Sequence, residues 1–261
     1  MARIDRLYRY PVKGLSAEPL ARVALAVGET FPMDRAYAIE NGPSGFDPNA
    51  PRHFPKIKYL MLMRNERLAA LETRFDDPTA TLTIRHHGAV VAEGSLDRPE
   101  GRQAIERFFE EFAREDLRGP PMVLRAPGHS FSDSAVKCIS LINLATVREL
   151  EGTVGAPVHP LRFRGNIYVE GLPAWAEFEW VGRRLRAGSA VFEAFARIVR
   201  CAATNVNPET AERDLAIPRS LLAAYGHPDC GIYLKVEADG VIAVDDTIEP
   251  AEPADDPATS A

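Results

Sequence analysis

The sequence predicts a β-rich α+β chain. An N-terminal β-barrel-like domain packs on a second β-barrel domain that carries short helical inserts. Three observations lead there. Short apolar runs, alternating or continuous, recur along the chain between Gly, Pro, Asp and Asn clusters. Only one long segment has a clear helical period. A Gly119-Pro120-Pro121 break near the middle then precedes a second set of strand-like runs.

In chain order, strands are expected at Ile4 to Tyr10, Arg22 to Val27, Ala36 to Ile39, Tyr59 to Met63 and Leu82 to Ile84. Gly42 to Pro55 reads as a long loop of the kind that binds something or moves. Residues 99–116 form the clearest helix, because Ile105, Phe108, Phe109 and Phe112 fall on one face. Strands resume at Met122 to Arg125 and Val136 to Ile142. A short helix follows, with Asn143 as its N-cap and Gly152 just past its end. Further strands fall at Asn166 to Glu170, Arg183 to Arg186, Val191 to Arg200, Gly231 to Val236 and Val241 to Val244. Pro218 opens another helix that Gly226 stops. The domains expected are residues 1–119 and 120–250, with an Ala/Asp/Pro-rich disordered tail over 251–261.

The net charge of −6 gives no electrostatic reason to expect nucleic acid or an anionic membrane. No apolar run is long enough for a membrane span, and the start lacks the apolar stretch of a signal peptide. Three widely separated cysteines, Cys138, Cys201 and Cys230, point to free thiols in a reducing compartment, hence a cytoplasmic protein. They also rule out a four-cysteine iron–sulfur cluster in this chain.

Four segments carry reactive or anion-binding groups. Arg200-Cys201 ends an apolar strand and leads into Ala202 to Pro208. A thiol beside an arginine favours the thiolate, the ligating and nucleophilic form; the plain alternative is a small buried core cysteine. Arg162 and Arg164, at i and i+2, share one face if the segment is a strand, and their planar forks suit a phosphate or a fused ring. Phe131 to Ala135 is a polar loop bearing Asp133 and Ser134, as a bare pattern an ordinary turn. Tyr10 to Gly14, with Asp34 and Arg35 further on, offers Lys13 to a phosphate, though a lysine taken singly is more often at the surface. Cys138 reads as core. His227-Pro228-Asp229-Cys230 lacks the second ligand pair of a zinc site.

In this order the segments resemble the MOSC family, named for the molybdenum cofactor sulfurase C-terminal domain, and within it the mitochondrial amidoxime-reducing component and its bacterial relatives. YPVKGLSAEPL and GETFPMDRAYAI resemble the family's N-terminal barrel. FSDSAVKCISLIN, LRFRGNIYVEG and RCAATNVNPET resemble the MOSC domain itself. The resemblance implies a molybdenum–molybdopterin cofactor, a pyranopterin dithiolene whose one protein-supplied metal ligand, and so the catalytic residue, is Cys201. It places cofactor contacts on Lys13, Gly14, Arg35, Asp133, Ser134, Arg164, Asn166, Arg200 and Cys201. It implies reduction of N-hydroxylated or N-oxide compounds. The electrons would come from a separate ferredoxin, cytochrome b5-like protein or flavin reductase, since the chain lacks the cysteines of an appended ferredoxin domain. Two other readings stay open: a cofactor carrier without turnover, and a sulfur carrier with a persulfide on Cys201. His227 and Asp229 are the candidate proton donors. The chain departs from the family where relatives often carry serine (Gly14), proline (Gly165), aspartate (Asn207) and glycine (Ala211).

Overall fold

The computed structural model describes residues 1–251; the tail expected over 251–261 lies, apart from its first residue, outside the described residues. Fifteen strands and three α-helices are present among them. The first half holds β1 (Ala2–Arg9), β2 (Glu18–Leu20), β3 (Arg22–Leu25), β4 (Tyr37–Asn41), β5 (Leu71–Asp76), β6 (Thr81–His86), β7 (Ala89–Ser95) and α1 (Pro99–Phe112). The second half holds β8 (Pro121–Arg125), β9 (Ile139–Asn143), α2 (Leu144–Val154), β10 (Ile167–Glu170), β11 (Arg184–Ala187) and β12 (Ala190–Val199). It ends with α3 (Ile217–Tyr225), β13 (Asp229–Ala238), β14 (Gly240–Ala243) and β15 (Thr247–Pro250). No helix among the described residues is long and apolar enough to cross a membrane.

Seven strands close a barrel in the order β10-β9-β13-β12-β11-β15-β1, with β1 pairing back to β10, and β2 adds to the outer side of β1. Period-2 patterning drives closure. In β11 the small or apolar Leu185 and Ala187 are buried while the alternating Arg184 and Arg186 are exposed, so the strand turns one face to the interior. The barrel interior collects Ile4, Leu7, Leu141, Ile167, Phe192 and Ile232. β9 is buried along its whole length, because Ile139 and Leu141 face the barrel while Ile142 faces α2 and α3. Such two-sided burial explains its continuous apolar run and its parallel pairing with β10.

A second core joins the β4–β8 pair, the β5-β6-β7 meander and α1 around Tyr37, Leu82, Ile84, Ile105 and Phe109. His87 and Gly88, both at positive φ, make the two-residue turn between β6 and β7. The boundary expected at residue 119 falls between α1 and β8, while β1 crosses it to pair with β10 and β15, and β3 to pair with β14, of the second half.

Three local expectations are corrected. Tyr59 to Met63 is not a strand: Tyr59 makes one bridge to Glu40, and the chain then turns, Asn65 capping the Met61 N–H at 3.0 Å. α2 has Asn143 as N-cap but runs past Gly152 to Gly155, which supplies the left-handed closing residue at φ 71°. Residues 160–163 form a 3-10 turn rather than strand, with Arg164 left-handed at φ 51°.

Candidate functional site

All nine residues singled out above line one cavity of about 480 Å³, built from both halves of the chain. Backbone hydrogen bonds bring the first-half segments and the Phe131 loop together. Lys13 N–H donates to Tyr37 O (2.8 Å), Arg35 N–H to Tyr10 O (2.7 Å) and Phe131 N–H to Arg35 O (2.8 Å). Gly14 sits in this crossing at φ +84°, where an added Cβ would meet Leu60 O at 3.0 Å. The position therefore favours glycine on backbone grounds, whatever relatives carry there.

Cys201 follows β12, whose pairing with β13 shifts register between Ala194 and Ala196 and again between Arg197 and Val199. Such bulges re-aim a strand end. Arg200 N–H then bonds Pro228 O at 2.9 Å, and Cys201 becomes the extended residue before a 3-10 turn, its carbonyl accepting from the Thr204 hydroxyl at 2.9 Å. Of the three free thiols it alone is partly exposed. Cys230 is walled in, and burial pushes it up to about 12. Cys138 is buried as expected, yet it also lines the cavity.

The arginines divide into two kinds. Arg162 and Arg164 do not share a face, because the 3-10 turn and the left-handed Arg164 replace the strand that would have aligned them. Arg162 is buried, pairs with Asp214 at 2.7 Å and donates to Asn205 O at 3.1 Å. Arg200 is likewise engaged: Nε donates to Cys230 O at 2.7 Å and Nη1 to Phe163 O at 3.0 Å, with Nη2 also on Cys230 O. Asn166 holds strands together as well, its Oδ1 accepting from the Ser140 N–H and hydroxyl at 3.0 and 2.8 Å. These three line the wall with most of their bonding capacity already used.

Arg35 and Arg164 differ. Their guanidinium carbons lie 4.3 and 4.2 Å from the centroid of the buried Tyr10 ring, and such cation–π contacts hold planar cations in place. Arg35 pairs with Asp34 and donates to Arg164 O at 2.9 Å. The Arg164 side chain has no acceptor among the described residues. Burial first, then the like charge of Arg35, push it down to about 10 against the opposing pull of Tyr10 and Asp34. Since a guanidinium stays charged at neutral pH, that direction marks a cation short of compensation.

Lys13 is not a surface lysine: it is 6% exposed. Its ammonium donates to Phe131 O at 2.8 Å and to Asp133 Oδ1 at 2.5 Å. Burial pushes Lys13 down while Asp133 resists. Lys56, which the sequence reading missed, completes the cluster by donating to Asp133 Oδ2 at 2.8 Å. Burial acts to lower Lys56, but Asp133 and then the neighbouring Cys201 sulfur outweigh it and raise the net value. Burial would raise Asp133 too; instead Lys13 and Lys56 hold it well below the usual carboxylate range. Ser134 caps its own loop, its hydroxyl accepting from Val136 N–H at 3.1 Å. His227 and Asp229 are outside the cavity wall. His227 packs against Trp175 and Phe178 and accepts the Asp229 N–H at 3.2 Å.

Comparisons with known proteins match two family models: the MOSC N-terminal beta barrel domain over residues 1–115 and the MOSC domain over residues 127–249. None of the curated proteins matches. Among solved structures, the YUAD protein from Bacillus subtilis is similar at 13% identity and TM-score 0.45, with 95% of this chain and 93% of that one covered. YiiM from Geobacillus stearothermophilus is similar at 20% identity and TM-score 0.35, over 44% of this chain and 54% of that one.

Proposed function

The chain belongs to the MOSC-domain family, and on that premise we propose that it is a molybdenum-cofactor-binding oxidoreductase that reduces N-hydroxylated or N-oxide compounds with electrons from a separate donor protein. MOSC domains bind a molybdenum cofactor or carry sulfur, and the chemistry of this cavity supports the first role. The observation that carries the reading is Arg164: a mostly buried cation with no acceptor among the described residues, in the same cavity as the Cys201 thiol. A phosphate-bearing group supplies the missing negative charge, and a thiolate suits a soft, redox-active metal.

In this reading Cys201 is the metal ligand. Lys13, Arg35 and Arg164 hold the cofactor's charged and planar parts, and Asp133 and Ser134 shape the loop beside them. Arg200, Asn166 and Gly14 position the wall. Lys56 stands next to the sulfur and adds a second cation to the pair on Asp133. When bound, the cofactor supplies the two-electron redox chemistry, while the protein supplies binding, orientation and charge.

Metal analysis of purified protein tests the assignment. Wild type is expected to carry molybdenum and Cys201→Ser to lose it; equal molybdenum in both removes Cys201 as ligand. Reductase assays on hydroxylamines with a surrogate electron donor test the reaction. Molybdenum-loaded protein without turnover favours the carrier reading, and a mass increase of one sulfur on Cys201 in protein without molybdenum favours the sulfur-carrier reading.

A further inference from the structure

Behind the cavity lies a second space of about 170 Å³, and the two share Gly14, Leu62, Arg162, Arg164 and Ala203 as common wall. Ala203 is two residues from Cys201, which lines the cavity that shares this wall with the annex. The annex lining is mainly apolar and lacks the Lys13, Arg35, Lys56 and Asp133 of the cavity. Leu15, Leu68, Leu71, Leu161 and Val206 line it, with Ala69 and Pro208. Few polar groups face it. Ser16 donates its hydroxyl to Leu71 O at 2.8 Å. Arg162 is held by Asp214, and only its Nε lacks an acceptor among the described residues. Arg164 stands on the shared boundary.

That contrast decides what each space takes. A phosphate or a pterin edge needs several donors, and the cavity has them in Lys13, Arg35 and Arg164. The annex does not, and an apolar-walled space favours an apolar guest. Its size is that of one ring: a leucine-lined cavity of about 150 Å³ takes up benzene.

We propose that the annex is a specificity pocket seating an apolar, ring-sized substituent of the substrate while the substrate's polar end lies at Cys201. The inference rests on the reductase reading for the identity of the guest. It assigns Leu15, Ala69, Leu161 and Val206 a selective role, and Ala69 and Leu161 line the annex without lining the cavity.

Two measurements test it separately from that reading. The first is benzene binding to the purified protein, followed by NMR shifts of leucine methyl groups. Wild type is expected to show shifts at Leu15, Leu68 and Leu161. Ala69→Phe, which fills the annex, is expected to weaken binding by roughly tenfold or more. Should Ala69→Phe fold poorly, Leu161→Ala enlarges the annex and is expected to admit naphthalene, which wild type excludes. Benzene shifts outside the annex, or equal binding in all three proteins, overturn the pocket. The second is the ratio of kcat/KM for N-phenylhydroxylamine over N-methylhydroxylamine. Ala69→Phe is expected to lower that ratio by roughly tenfold; an unchanged ratio with both compounds turned over overturns the specificity role. No turnover of either compound, with benzene still displaced by Ala69→Phe, overturns the reductase reading and supports the annex as an apolar binding site.

Discussion

Two arginine-bearing regions border the cavity, and they differ in what their guanidinium groups have left to offer. Around the turn at 160–163 and the end of β12, Arg162 and Arg200 are bound to carbonyls and, for Arg162, to Asp214. Around Tyr10, Arg35 and Arg164 are fixed by stacking on an aromatic ring, and Arg164 keeps its donors free of any acceptor among the described residues. The first region uses positive charge to hold three loops together. The second holds positive charge ready for something else. Residue type is the same in the two; hydrogen-bond accounting separates them.

The largest effect expected from this contrast is on stability. Arg162→Met removes the partner of Asp214 and strands the carbonyl of Asn205. Breaking such a buried pair is expected to cost about 3 kcal/mol, which for a chain of this size lowers Tm by about 6–12 °C. Thermal unfolding followed by circular dichroism measures it. Arg164→Met is expected to leave stability within about 1 kcal/mol of wild type, or to raise it, since a partly buried cation without an acceptor among the described residues is removed. Its effect should appear instead in cofactor retention, with affinity falling by about 10- to 100-fold, or about 1.4–2.7 kcal/mol. Urea unfolding and pterin content are the paired readouts. Equal destabilisation by the two substitutions would erase the distinction between the regions.

Much of the fold was legible in the sequence because its cause is local. Apolar periodicity marked α1, the Asn143 cap marked the start of α2, and Gly226 marked the end of α3. The barrel was expected, but which strands close it was not legible, because the pairing of β1 with β10 joins residues far apart in sequence and leaves no local trace beyond ordinary strand patterning. The site shows the same division. The nine chosen residues share one cavity, yet their individual states depend on the tertiary structure. Lys13 reads as a surface lysine until β4 and the Phe131 loop cover it. Arg162 and Arg164 read as a same-face pair only under a strand geometry that the Pro160 turn replaces. Lys56 carried no signal beyond the long loop that delivers it.

The smallest predicted effect concerns Asp133, where the cavity's cations do have a partner, and it sharpens the contrast with Arg164. Against the desolvation of its partly covered site, Lys13 and Lys56 hold Asp133 below its ordinary value of 3.8. A carboxyl depressed on folding contributes stability that is full above that value and is lost as pH falls through the folded one. Asp133 is 43% exposed, so screening keeps its share below about 1 kcal/mol. Lys13 shares that direction of pH dependence but has the opposite effect at neutral pH, where its buried charge costs stability. Burial lowers it from 10.5, so the unfolded chain binds more protons between its folded value and 10.5, and stability rises with pH across that window. Asp133→Asn removes the group that resists this lowering. The variant is therefore expected to lose less stability than wild type below pH 3.8 and to gain more on the approach to 10.5. Urea unfolding across pH measures both limbs. Parallel curves for the two proteins would mean that Asp133 does not compensate the lysines, leaving Lys13 as short of a partner as Arg164.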